Sequence, residues 1–206
     1  MHKCNITAGL AVGLALGLLF GSGCTTTTGG KSCCGTAAGM AAGNITTSMD
    51  DEGRLWILGP GEEKAEKHIT MVGAGPGGQT VKAISKDTVI QYMARKPGFM
   101  TAVEDGRLWV FKAGESMEMP EKHITLIGAG PLGTTIKAVD RNTAIEYLAA
   151  KPGFKVSVDE GRLWVFKAGE DAMMPEKHVT LVGAGPQGMT IKAIDRTTAI
   201  QYLAAK

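Results

Sequence analysis

All 4 cysteines of this 206-residue chain fall within its first 34 residues. A disulfide framework therefore does not hold the remainder together, even in an oxidising compartment. The chain also lacks any excess of charge: 22 Lys and Arg stand against 20 Asp and Glu, a formal net of +2, and the basic residues form no cluster. Phosphate recognition needs a concentrated basic face, so no nucleic acid is expected as a partner. The strongly apolar run, Ile6 to Phe20, is about 15 residues long, short of the roughly 20 that cross a bilayer as a helix. A lasting transmembrane span is thereby disfavoured.

What stands at the N-terminus is a signal segment. Met1-His2-Lys3 carries one positive charge, the apolar run follows, and small residues come next in Leu18-Leu19-Phe20-Gly21-Ser22-Gly23-Cys24. That last stretch resembles the lipobox of bacterial lipoproteins, with Gly21 standing where that family usually has Leu or another aliphatic residue. The resemblance implies that residues 1–23 are removed and that Cys24 is diacylated, with palmitate-type chains, and becomes the new N-terminus. The expected location is the cell envelope, at the outer membrane or the periplasmic face of the inner membrane, with the membrane itself as a partner through the lipid. An ordinary secretory signal cleaved at the same small residues is the other reading, and it too exports the protein. Residues 24–43 form a Thr-rich, then Gly/Ala-rich tether whose only charge is Lys31. Its vicinal Cys33-Cys34 pair either crosslinks to another chain or is an inert part of the tether.

The rest is repetition. Gly53-Arg54-Leu55-Trp56 returns at Gly106 to Trp109 and at Gly161 to Trp164, and Glu66-Lys67-His68 returns at Glu121 to His123 and Glu176 to His178. The histidines step by 55 residues both times, whereas Trp56 to Trp109 spans 53, so the first copy lacks two residues in the stretch Gly59 to Ala65. A loop accepts such a deletion and a strand does not. The modules run over residues 44–98, 99–153 and 154–206.

Within each module the pattern predicts an α+β unit of two β-hairpins followed by one helix. In the third copy, strands over Phe154 to Val158 and Arg162 to Lys167 flank Asp159-Glu160-Gly161, a tight turn. Strands over His178 to Gly183 and Met189 to Ile194 flank Ala184 to Gly188, read as a second tight hairpin. Asp195 then caps a helix carrying Ala199, Ile200, Leu203 and Ala204 at helical spacing, with Ser85 and Asp140 as the matching caps. Lys96-Pro97-Gly98 and Lys151-Pro152-Gly153 end the first two helices. Units of about 50 residues are near the lower size limit for folding alone, so the modules are expected to share a core, in a threefold or a stacked arrangement.

Ile69 to Gly78 resembles the first strand and glycine loop of flavin or nicotinamide dinucleotide-binding proteins. Such a loop must open a helix that faces the pyrophosphate. Here the alternating run Gln79 to Ile84 follows, and the helix cap waits until Ser85. The glycines are read as turn formers, and no cofactor is expected.

His68, His123 and His178 are the only histidines after the signal. If the modules close around an axis they could converge on zinc or copper, with Met117, Met119, Met173 and Met174 nearby; otherwise each is a strand-start His paired with Glu66, Glu121 or Glu176. Trp56, Trp109 and Trp164 lie on alternating strands whose two faces are both apolar. Either they are buried, or they form an exposed stacking platform for sugar or peptide, three ligand-binding positions on one tether. Tyr92, Tyr147 and Tyr202 are read as packing residues with wet hydroxyls. No Ser or Cys recurs beside the His, and no carboxylate pair recurs, so catalysis is not expected. Tandem modules suit binding, because linked weak sites gain avidity. The expectation is a lipid-anchored envelope protein with a structural or ligand-binding role towards an envelope polymer or protein, the alternative being a periplasmic metal-binding protein.

Overall fold

A computed structural model describes residues 45–205. The signal segment, Cys24, Cys33-Cys34 and the tether lie outside the described residues. Three similar units follow one another, each a four-stranded sheet with one helix.

The opening hairpins pair β1 (Thr46–Met49) with β2 (Leu55–Leu58), β5 (Phe99–Glu104) with β6 (Arg107–Lys112), and β9 (Phe154–Asp159) with β10 (Arg162–Lys167). Their turns are as tight as expected in the second and third modules. Asp105 and Gly106 have φ of 49° and 68°, and Glu160 and Gly161 have 46° and 70°. Two consecutive left-handed residues are what a two-residue turn needs to match the twist of its strands. The first module differs: one more residue sits in its turn, and Asp50 closes it. The Asp50 carboxylate accepts from the backbone N–H of Glu52 at 3.1 Å and of Arg54 at 2.9 Å, and from Arg54 Nε at 2.9 Å.

The second hairpins are β3 (Ile69–Met71) with β4 (Val81–Ala83), β7 (Ile124–Leu126) with β8 (Ile136–Ala138), and β11 (Val179–Leu181) with β12 (Ile191–Ala193). These strands are three residues each, shorter than the sequence pattern indicates, and the connection is not a tight turn. It holds a single 3-10 turn, at Pro76–Gly78, Pro131–Gly133 and Pro186–Gly188. Proline opens this turn because its φ suits the first helical position and its missing N–H is not needed there. The chain is extended again at once: Gln79, Thr134 and Met189 have ψ of 150°, 144° and 149°. No helix begins where a dinucleotide phosphate would require one.

The two hairpins of a module join through their inner strands. Sheet order is β1-β2-β4-β3, and likewise β5-β6-β8-β7 and β9-β10-β12-β11, with a parallel central pair that sets Trp56 beside Lys82. Helices α1 (Lys86–Met93), α2 (Arg141–Ala149) and α3 (Arg196–Ala204) close the modules. Each starts where the sequence indicates, with Ser85, Asp140 and Asp195 accepting from the N–H of Thr88, Thr143 and Thr198 at 3.1, 2.8 and 2.7 Å. Among the described residues no helix is long and apolar enough to cross a membrane.

The core is shared between neighbours. Leu108, Val110 and Ile136 of the second sheet pack with Ile90 of α1, with Ala94 just past its end and with Tyr147 of α2. One module on, Leu163, Val165 and Ile191 pack with Ile145 and Ala149 of α2 and with Tyr202 of α3. Each of the first two helices is thus covered by the next module, and the arrangement is a stack. Among the described residues nothing covers α3 in the same way: Ile200 is 56% exposed against 1% and 2% for its counterparts Ile90 and Ile145. Burying those two isoleucines stabilises the junctions by about 1.5–3 kcal/mol each.

Candidate functional site

Strand alternation places Leu108 and Val110 towards the helices and Trp109 and Phe111 on the opposite face. That second face is covered by the long loop between the hairpins. Trp56, Trp109 and Trp164 are 6%, 3% and 4% exposed, so the stacking-platform alternative fails: no ring offers a face to solvent. In the second module Ala102 and Phe111 join Trp109, and Met100, Met117 and Met119 pack against the group. Met117 and Met119 thus cover an aromatic cluster. Met173 and Met174 are exposed.

Each indole has two neighbours, one cationic and one polar, that recur with the module. Lys82, Lys137 and Lys192 place their ammonium groups 5.4, 4.9 and 4.9 Å from the centroids of Trp56, Trp109 and Trp164. The parallel register Trp56 to Lys82 makes this contact unavoidable, since facing residues on adjacent strands share a side of the sheet. A lysine in this setting contributes through attraction to the ring quadrupole. The imidazoles of His68, His123 and His178 lie 5.0 Å from the same rings, centroid to centroid.

The histidines bond to backbone carbonyls rather than to the carboxylates expected. Nδ1 of His68 donates to the Glu66 carbonyl at 2.8 Å, and His123 and His178 donate to those of Glu121 and Glu176 at 3.2 and 3.1 Å. A carbonyl only accepts, so Nδ1 carries the proton. Among the described residues no group of three or more His, Cys, Asp or Glu side chains lies close enough to hold a metal ion.

The junctions contain polar contacts that the sequence did not reveal. Tyr147 and Tyr202 are buried, and their hydroxyls are not wet: they donate to the carbonyls of Ala94 and Ala149, at the end of the preceding helix, at 2.9 and 2.7 Å. Burial pushes the Tyr202 hydroxyl up to about 12 and raises that of Tyr147 further. Lys96 returns the contact, donating from Nζ to the carbonyls of Tyr147 and Leu148 at 2.9 and 3.1 Å, while Lys151 reaches those of Tyr202 and Ala205 at 3.0 and 2.7 Å. These ammonium groups sit at the negative end of the following helix, where orphan carbonyls need donors. Burial, then repulsion from Lys151, lowers the Lys96 ammonium below the usual lysine range. Recurrence at the module step was the available signal for both residue pairs, but nothing in a linear pattern says that a lysine after one helix caps the next.

The second module adds an ion pair at its junction with the third. Lys112 Nζ lies 2.7 Å from Glu146 Oε2, and Glu146 Oε1 accepts from the Val158 backbone N–H at 2.8 Å. A cleft of about 540 Å³ opens beside this pair, lined by Phe99, Phe154, Lys155 and Ser157 among others. Lys112 and Glu146 there are paired with one another, and Lys155 is exposed.

The exposed surface carries one further recurrent feature. Val72, Ile127 and Val182, each just past an edge strand, are 86%, 88% and 85% exposed. The same position is thus a fully exposed aliphatic side chain in all three modules. Compared with known proteins, the chain matches no family model, no curated protein and no solved structure.

Proposed function

We propose that this chain is an exported lipoprotein, anchored through Cys24 in the cell envelope, whose three stacked modules serve a non-catalytic structural or binding role. The observation that carries the reading is the repeated exposure of Val72, Ile127 and Val182. Because the two junctions make the same contacts, equivalent positions recur along the stack at one spacing. Three equal, individually weak contacts on one chain gain affinity through effective concentration, which a single active site would not need. The partner that fits is a repetitive envelope polymer or an envelope protein.

Two measurements test the reading. Metabolic labelling with palmitate is expected to mark the native chain and to vanish in Cys24→Ala, with the protein leaving the membrane fraction. Capture of an envelope component by the full chain is expected to fall when Val72, Ile127 and Val182 are all replaced by Asp, with the melting temperature unchanged. Capture that survives all three substitutions removes the surface from consideration.

A further inference from the structure

We infer that copies of this chain associate head to tail, the first module of one copy docking on helix α3 of another in the geometry that already joins module to module. The inference names a partner for the structural role proposed above and rests on that reading.

The acceptor face is α3. Its residues Ile200, Gln201, Leu203 and Ala204 occupy the positions of Ile145, Glu146, Leu148 and Ala149 on α2 and of Ile90, Gln91, Met93 and Ala94 on α1. On the first two helices the Ile and Ala are buried by the following module; on α3 Ile200 is 56% and Leu203 46% exposed, and Gln201 and Ala204 are exposed. The face therefore has the composition of an interface and lacks, within the described residues, the surface that covers it elsewhere.

The complementary face is at the other end. The strand positions that meet a preceding helix are Phe99, Thr101 and Val103 in the second module and Phe154, Val156 and Val158 in the third. In the first module the register assigns Ile45, Thr47 and Met49 to those positions, close in character to the Phe, Thr and Val that dock on α1. Thr47 is exposed and Met49 is 50% exposed, although their counterparts Thr101 and Val103 are buried and half-buried. The polar contacts are matched as well. Tyr92 stands where Tyr147 and Tyr202 do, so that its hydroxyl would meet the Ala204 carbonyl as Tyr147 meets Ala94. Gln201 stands where Gln91 donates to the Thr101 carbonyl at 3.5 Å, and would meet that of Thr47.

The two faces are different surfaces, so the contact is heterologous: each copy that docks leaves one face of each kind free, and copies add in series.

Photocrosslinking on the full chain in native membranes tests this. A photoreactive residue at the exposed position 203 is expected to yield an adduct of two copies, with the joined peptide containing residues 45–49 or Tyr92. Met49→Arg, at an exposed position that leaves the fold intact, is expected to reduce the adduct about tenfold, the effect of a 1.4 kcal/mol loss. Absence of a two-copy adduct, an adduct joining α3 to α3, or an adduct only with another protein each overturns the inference. Capture of an envelope component that persists without the adduct leaves the broader reading standing and removes only self-association.

Discussion

Tyr202 donates its hydroxyl proton to the carbonyl of Ala149 at 2.7 Å, joining the helix of the third module to the end of the helix before it. Lys151, two residues past Ala149, reaches back in the other direction to the carbonyls of Tyr202 and Ala205 and lies 4.8 Å from the Tyr202 ring centroid. Tyr147 and Lys96 make the same reciprocal clasp one module earlier, with the same 4.8 Å separation. Successive modules are therefore held by a specific polar pair inside an apolar junction.

Removing the hydroxyl tests the clasp. Tyr147→Phe and Tyr202→Phe are each expected to cost about 1–2 kcal/mol in urea unfolding, the worth of a buried hydrogen bond. Tyr92→Phe, with no preceding module to bond among the described residues, is expected to change stability by less than about 0.5 kcal/mol under dilute conditions. Equal effects at all three positions would contradict the assignment.

The raised tyrosine makes stability sensitive to alkali. The fold favours the neutral form of Tyr202, whose ordinary value is 10.0 and whose value here is about 12. Its contribution is fully present below pH 10.0 and is lost as the pH rises through about 12. Tyrosinate absorbance and near-ultraviolet dichroism are expected to change together in that window, and Tyr202→Phe to weaken the dependence.

Acid acts at the other end of the stack. Burial alone would raise the Asp50 carboxyl, but hydrogen bonds from the Arg54 backbone and side chain and from Lys82 prevail and hold it well below the usual carboxylate range. Its contribution is present above the unfolded value of 3.8 and is lost as the pH falls towards the lower folded value. Asp50→Ala is expected to speed amide exchange at Glu52 and Arg54 at neutral pH while leaving the second and third modules unchanged. Unaltered exchange at both amides would show that the turn does not depend on this carboxylate.

The glycine loops offer a backbone test. At Gly130 an added Cβ would stand 2.8 Å from the Thr134 carbonyl oxygen, in a loop closed by the Gly130 N–H donating to that same oxygen at 2.8 Å. Gly130→Ala is expected to destabilise by about 1–3 kcal/mol through that overlap. A urea midpoint matching the unsubstituted chain would mean that the loop relaxes freely.

Some of this was legible in the chain. The repeat, the hairpin turn at Glu160-Gly161, the caps Ser85, Asp140 and Asp195, and the absence of a helix after the glycine loop all follow from local preferences. Turn residues need particular φ values, caps need a short acceptor side chain, and strand alternation has a period of two. The glycine connection is longer than a tight turn because Pro76, Pro131 and Pro186 start a helical turn inside it, closed by the cross-loop bond from Gly75 N–H to the Gln79 carbonyl and its counterparts.

By itself the sequence determined three α+β modules and where the helices begin, because those depend on neighbours a few residues apart. Only the tertiary structure decided that the inner strands pair in parallel, that each Trp has a Lys and a His against its ring, and that Tyr147, Tyr202, Lys96 and Lys151 bridge to an adjacent module. Those contacts join residues that local pattern cannot relate, and which face of a half-apolar strand or helix is covered depends on what packs against it.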